Sequence, residues 1–233
     1  MNFRDQGIII SKRMLKERSY IVTIFTEKHG IYSGVLKQYS KKTGDSLVEG
    51  NLVDFFWSAR LHEHIGSAKA ELIKSYNSHI MMNKTKLYAF NSIVSLLKIA
   101  FCEREPHNNL FPDLLRFIES LKQKFSFPEY MKLELSILAE AGYQLQLDRC
   151  AASGTNEDLC YVSPKSGKAV SKEEGEPYAS KLLKLPKFLN GNSEATKSDI
   201  QDALNLTSYF FERYITTNKP QPKEKSRFAE LFI

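Results

Sequence analysis

Tyr20-Ile21-Val22-Thr23-Ile24-Phe25-Thr26 decides the fold: five of these seven residues are β-branched, and Phe25 is aromatic. Such side chains fit a pleated, packed surface better than a helix. Both faces of the stretch are apolar, which predicts a central strand lying under other elements. Upstream, Gly7-Ile8-Ile9-Ile10-Ser11 reads as a strand of the same kind. Downstream, His29-Gly30 offers a turn, and Ile31-Tyr32-Ser33-Gly34-Val35-Leu36-Lys37 follows as a third strand. A loop with Gly44 and Gly50 leads to Leu52-Val53-Asp54-Phe55-Phe56-Trp57, and a fifth strand runs from Ala68 to Tyr76 past Gly66. Five short strands broken by Gly, Asn and Ser predict a small antiparallel barrel. That is the size of an OB-fold, whose open strand face and loops bind oligonucleotides. An SH3-like barrel has a similar length and pattern.

After Tyr76 the period changes. Leu87, Phe90, Ile93, Val94, Leu97 and Phe101 are three or four apart and predict an amphipathic helix. A second helix runs through Leu110, Leu114, Phe117, Ile118 and Leu121, with Pro112 in its first turn. Pro128 opens a third, through Met131, Leu135 and Leu138, stopped by Gly142. Residues 148–176 look irregular, with Gly154, Pro164 and Gly167. Helical spacing returns at Ile200, Ala203, Leu204 and Phe210, with Ser198 as the expected N-cap beside Asp199. The fold class is therefore α+β: an N-terminal five-stranded OB-fold barrel over 1–80, followed by an all-helical domain over 81–233.

Composition narrows the function. With 42% hydrophobic residues, 15 Phe and 11 Tyr, the 233-residue chain has enough apolar area to fold, which excludes disorder as its main state. No run of about 18 uncharged apolar residues suggests a membrane span, and the N-terminus lacks the apolar core of a signal peptide. Three widely spaced cysteines, Cys102, Cys150 and Cys160, make no disulfide framework. A cytoplasmic protein is expected. The net charge is +6, and residues 1–80 hold 12 basic against 8 acidic side chains. Lys12, Arg13, Lys16 and Arg18 crowd one segment, and Lys37, Lys41 and Lys42 another. Basic clusters near aromatics suit a phosphate backbone with stacked bases.

Motifs for hydrolytic or nucleotide chemistry are missing: there is no Walker A, GxGxxG, GxSxG or HExxH sequence. His62-Glu63-His64 is a weak metal pair, read as surface histidines. Structural zinc wants four convergent ligands. Cys150 is followed at the knuckle position by Ser153, and Cys160 has no CxxC partner, so both are expected to be buried free thiols. Cys102 is expected in the core, on the apolar face of the first helix. Trp57, Tyr32, Tyr39, Phe55 and Phe56 are candidate stacking aromatics, about half of them facing outward if strand alternation holds.

The chain resembles the bacterial recombination mediator RecO family. The likeness begins at Asp5-Gln6-Gly7-Ile8-Ile9-Ile10-Ser11-Lys12-Arg13 and continues through Thr23-Ile24-Phe25-Thr26-Glu27-Lys28-His29-Gly30 and Ser33-Gly34-Val35-Leu36-Lys37. Further matches are Leu61-His62-Glu63-His64-Ile65-Gly66, Leu133-Glu134-Leu135, Gly142-Tyr143, Leu147-Asp148-Arg149-Cys150, Tyr161-Val162-Ser163-Pro164-Lys165-Ser166-Gly167 and Glu176-Pro177-Tyr178. The resemblance implies an OB-fold followed by a helical domain. It also implies binding of single- and double-stranded DNA, strand annealing, action with RecR, indirect action on RecA, and no bond-breaking chemistry. Some members dock the acidic, Phe-ended tail of single-stranded-DNA-binding protein (SSB). Many members carry a four-Cys zinc site; here Ser153 replaces one ligand and the later pair is missing around Val170-Ser171, so no cofactor is expected.

Two sites follow. Lys12, Arg13, Lys16, Arg18, Lys37, Tyr39, Lys41, Lys42 and Arg60 are the expected DNA-binding residues. Lys181, Lys184, Lys187, Phe210 and Arg213 are the expected SSB-tail-binding residues, a basic rim around Leu182, Leu183, Leu185 and Phe188. An RNA-binding OB module in RNA processing or translation is the alternative that barrel and charge alone leave open.

Overall fold

The Ile8-Ile9-Ile10 run is the middle of a much longer strand. In the computed structural model, which describes residues 1–37, 47–61, 64–191, 195–217 and 221–232, β1 spans Asn2–Lys16. It is followed by β2 (Ser19–Thr26), β3 (Gly30–Lys37), β4 (Leu52–Ser58) and β5 (Ser67–Lys74). They close into a barrel in the order β1-β2-β3-β5-β4. β1 closes it by serving two neighbours. Its first half pairs with β4 from Asn2↔Ser58 to Ile8↔Leu52, and its second half with β2 from Gly7↔Thr26 to Lys16↔Ser19. β3 and β5 run parallel and join at Val35↔Ser67 and Leu36↔Ala68.

The barrel interior is filled by Ile9, Val22, Ile24, Tyr32, Leu36, Leu47, Val53, Phe55, Trp57, Ala68 and Ala70. Trp57 also satisfies its indole N–H, which donates to the carbonyls of Ser33 and Ile65, each at 3.0 Å. The β2–β3 turn requires Gly30: its φ is +78°, and a Cβ there would lie 1.8 Å from the Glu105 carbonyl oxygen.

Compact packing divides the chain into two units, Met1–Phe90 with Phe101–Phe125, and Asn91–Ala100 with Ser126–Ile233. The first unit adds to the barrel α1 (Asn77–Met81), the start of α2 (Lys84–Ala100) and α3 (Leu110–Ser120). Asn51 ties β5 to α1 by accepting from the backbone N–H groups of Tyr76 and Asn77 at 2.8 and 2.9 Å. Lys74 meets Glu119 at 2.8 Å, and Tyr76 donates its hydroxyl to the same carboxylate. Both bonds hold the Glu119 carboxyl below its usual range.

The second unit is built on α4 (Phe127–Glu140), which starts where Ser126 accepts from the Glu129 N–H. It continues with β6 (Leu159–Val162), β7 (Ala169–Ser171), a short α5 (Lys172–Gly175), β8 (Leu183–Lys184), α6 (Lys197–Phe210) and α7 (Lys223–Ala229). Its centre is polar. Glu134 on α4 and Lys225 on α7 are both fully buried, with Nζ 2.5 Å from each carboxylate oxygen. Thr207 donates to Glu134 Oε2 at 2.6 Å, and Tyr130 donates to Oε1. Burial holds the Tyr130 hydroxyl well above the usual phenol range and lowers Lys225, against the pull of Glu134. The ring of Phe228 packs on Tyr130 at 4.3 Å.

Three expectations need correction. The second region is not purely helical: β6, β7 and β8 form a three-stranded sheet in the order β7-β6-β8. Strands of two to four residues, set among Gly154, Pro164 and Gly167, are too short for alternation to stand out. The α6 cap is Thr196, not Ser198; Thr196 accepts from the Asp199 N–H while Asp199 accepts from the Thr196 N–H, each at 3.1 Å. Cys102 is exposed, because α2 ends at Ala100 and the helical register that would have buried the thiol stops there.

Candidate nucleic-acid interface

A β-bulge sets the interface. Ile9 pairs with Ile24 inside the barrel, but Ser11 pairs with Thr23, so Ile10 is an extra residue on β1. One extra residue reverses which face the following side chains take. Arg13 therefore falls in register with Ile21, which pairs with Val35. These rows share the outer face that Thr23 and Ser33 define, their hydroxyls 3.0 Å apart. On that face Ser11, Arg13, Ser19, Thr23, Ser33 and Lys37, with Ile21 and Val35 among them and Ser33 donating to Glu103, leave a mixed, cation-flanked surface across β1, β2 and β3.

Pairing converges the basic residues at one edge. Lys16↔Ser19 and Ser19↔Lys37 form a continuous row, placing Lys16, the Glu17-Arg18 turn and Lys37 together. Arg13, Lys16, Arg18 and Lys37 are all exposed. Arg18 takes φ 58°, the left-handed conformation that closes this tight turn. The β4–β5 loop reaches the same edge, where Gly66 accepts from the Val35 N–H at 2.9 Å, two residues from Lys37. Arg60 lies exposed in that loop. Lys12 is half-buried, with Nζ 4.5 Å from the Tyr20 ring centroid and its backbone N–H donating to Glu49. Tyr39, Lys41 and Lys42, together with His62 and Glu63, lie outside the described residues.

The stacking aromatics need correction. Trp57, Phe55 and Tyr32 are at most 9% exposed and belong to the barrel core, since β3 and β4 turn them inward. Phe56 stays half-exposed on the opposite face of β4. There it pairs in register with Arg4 on one side and Lys69 on the other. Arg4 is held by Asp54, whose carboxyl that bond lowers. This row was invisible in the sequence because it needs the register of three strands. Arg104 was also missed: its guanidinium lies 5.8 Å from the Tyr32 ring and 5.5 Å from the Trp57 ring, and it donates to the His64 carbonyl.

In the second unit Phe210 is 1% exposed, because it falls on the packed face of α6; it backs a small hollow lined also by Tyr143, Leu145, Gly167 and Tyr214, which none of Lys181, Lys184 and Lys187 lines. Lys181 and Lys187 are exposed, and Lys184 lies 3.7 Å from Asp202. Arg213 stands roughly 15 Å farther along the helix by helical rise, on a π-helical turn over Phe211–Ile215. It donates to the Tyr209 hydroxyl at 2.7 Å and lies 5.4 Å from the Tyr214 ring, which stacks on Tyr143 at 4.4 Å. The structure thus gives an arginine–tyrosine cluster separate from the lysines.

The donor set around Cys150 does not fit zinc. The buried sulfur accepts from the Ser171 N–H at 3.3 Å and lies 3.5 Å from the Ser171 hydroxyl, and no metal-holding group of three His, Cys, Asp or Glu occurs among the described residues. Serine hydroxyls do not ionise as thiolates do. Cys160 is only half-buried. Burial pushes the Cys150 thiol up, but hydrogen bonds from Ser153 and Ser171 outweigh it and bring the thiol down to about 6. A depressed folded value favours the thiolate in the native state. Its stabilisation is present above the free-thiol range near pH 8.5 and is lost as pH falls through about 6. Urea midpoints of wild type and Cys150→Ser should therefore differ most at alkaline pH and converge below about pH 6.

A closed barrel with this strand order and a cation-lined loop edge defines an OB-fold protein. Family models agree: residues 1–76 match the recombination protein O N-terminal domain, and residues 83–222 the recombination protein O C-terminal domain. The chain is similar to the DNA repair protein RecO of Rickettsia bellii, 53% identical over 234 residues, covering 100% of this chain and 97% of the relative. It is 52% identical to the protein of that name from Rickettsia rickettsii, covering 99% and 98%, and 50% identical to that of Rickettsia felis, covering 100% and 99%. The chain belongs to the RecO family of DNA repair proteins. No helix among the described residues is long and apolar enough to cross a membrane.

Proposed function

We propose that this protein is a non-enzymatic recombination mediator that anneals complementary DNA strands and, with RecR, helps load RecA on SSB-coated single-stranded DNA in the cytoplasm. The observation that carries the reading is the convergence of Arg13, Lys16, Arg18 and Lys37 on the β1–β2 turn and the strand face beside it, with Arg60 exposed in the β4–β5 loop that meets β3 at Gly66; OB-folds use such loops and faces for oligonucleotides. Annealing then needs no chemistry. A surface of positive charge screens two anionic strands from each other and raises their local concentration. The acidic, Phe-ended SSB tail meets complementary chemistry at Arg213, with Tyr209, Tyr214 and Tyr143 as apolar ring surface.

One fluorescence assay tests both parts, with complementary strands bare or SSB-coated. The wild type is expected to speed annealing in both conditions. Arg213→Ala is expected to keep the bare-strand rate and lose the advantage on coated strands. No acceleration of bare DNA strands, or equal acceleration of matched RNA strands, would replace this reading with a general RNA-binding module.

A further inference from the structure

Past Ile9, which exchanges backbone bonds with Gly50 and Asn51, and Lys12, whose N–H donates to Glu49, β1 has β2 as its one strand partner among the described residues. On this stretch of β1 Met14 is 71% exposed and Leu15 45%. The register explains Leu15. Met14 pairs with Tyr20 and Lys16 with Ser19, so Leu15 is the residue left out of the ladder by a second bulge. A bulge re-aims the side chain it carries. Single exposed apolar residues are ordinary. Two adjacent ones on a free strand edge are an aggregation liability. Here Arg13, Lys16 and Arg18, all exposed, surround them within six residues, against one exposed carboxylate, Glu17.

An apolar tip ringed by cations matches a ligand with anions outside and an apolar stack inside. We infer that Met14 and Leu15 form a wedge that inserts between stacked bases at a duplex end or junction, while Arg13, Lys16 and Arg18 hold the flanking phosphates. Apolar wedges with this flanking chemistry unstack base steps elsewhere. An anionic lipid surface offers similar chemistry, but the face behind the tip is mixed, with Ser11, Thr23 and Ser33 beside Ile21 and Val35, and lacks the continuous apolar area that acyl chains reward. The inference deepens the nucleic-acid reading of the barrel and rests on it.

The experiment uses the full chain and a forked duplex with 2-aminopurine at the junction, whose fluorescence rises when its stacking is lost. Wild type is expected to raise the signal several-fold. Met14→Ser/Leu15→Ser, both exposed and so neutral for folding, is expected to remove the rise while keeping Kd within about threefold and the salt dependence intact, since phosphates carry the affinity. A signal that survives the double substitution overturns the wedge, as does wild-type binding without any rise. Failure of wild type to bind the fork at all overturns the barrel reading itself. Wild-type partitioning onto phosphatidylserine vesicles that depends on Met14 and Leu15, without unstacking, assigns the tip to lipid and also overturns it.

Discussion

Lys225→Ala should destabilise the second unit by about 3–5 kcal/mol, because it leaves the Glu134 carboxylate buried without its cation. The Nζ lies 2.5 Å from both carboxylate oxygens, and both side chains are sealed from solvent. At roughly 2–4 °C per kcal/mol for a chain of this size, the melting temperature should fall by about 10 °C. The size of the loss does not measure the worth of the pair. Taking two charges out of water costs several kcal/mol each, which their attraction barely repays. Glu134→Leu with Lys225→Met should therefore recover most of the lost stability. Local hydrogen bonding supports that recovery. Tyr130 keeps Ser92 as a partner at 2.8 Å, and Thr207 keeps the Ala203 carbonyl at 3.3 Å. Urea midpoints of the single and double variants check this. A double variant as weak as Lys225→Ala would show that Tyr130 and Thr207 depend on the carboxylate.

The strands were legible because β-branched and aromatic runs bounded by Gly30, Gly50 and Gly66 leave few other structures open. The helices were legible from their period, and the matches among Gly7–Lys37 carried the family. What stayed hidden depends on long-range pairing. The bulge at Ile10 leaves no mark in an Ile-Ile-Ile run, yet it decides that Arg13 faces outward with Ile21 and Val35. Alternation alone could not say that Trp57 faces in and Phe56 out until the barrel closed around β4. Lys225 looks like any charged residue after Pro222; its partner stands 91 positions earlier. Phe210 shows the reverse case. Its place beside basic residues suggested a lysine-rimmed groove, but helix phase buries it at the back of a hollow lined by Tyr143 and Tyr214. Chemistry spread over one short segment, such as Lys12 to Arg18, was visible as a run of charge, but the register divides it: Lys12 pairs with Val22 and lies against the Tyr20 ring, while Arg13 faces outward.

Arg13→Glu, Lys16→Glu, Arg18→Glu and Lys37→Glu together should nearly abolish single-strand binding at physiological salt while leaving the fold intact. All four side chains are exposed, and no ion pair involves any of them among the described residues. Each phosphate contact contributes roughly −0.7 to the log–log salt slope on single strands, so five contacts, counting Arg60, give roughly −3.5. Raising salt from about 50 to about 200 mM should then weaken wild type roughly a hundredfold. A variant left with Arg60 alone, at a slope of roughly −0.7, should change less than about threefold. The slope is more informative than the affinity, because it counts contacts whatever the bases contribute. Stacking would add a salt-independent offset of about 1–3 kcal/mol per base. The row Arg4, Phe56 and Lys69, on the outer side of β1, β4 and β5, supplies the internal control. If Arg4→Glu/Lys69→Glu lowers the slope as much as the fourfold variant does, the strand runs across β1, β4 and β5, and the convergent edge of β1, β2 and β3 is not the binding surface. A slope that falls only with the fourfold variant places the phosphates on the face that the Ile10 bulge created.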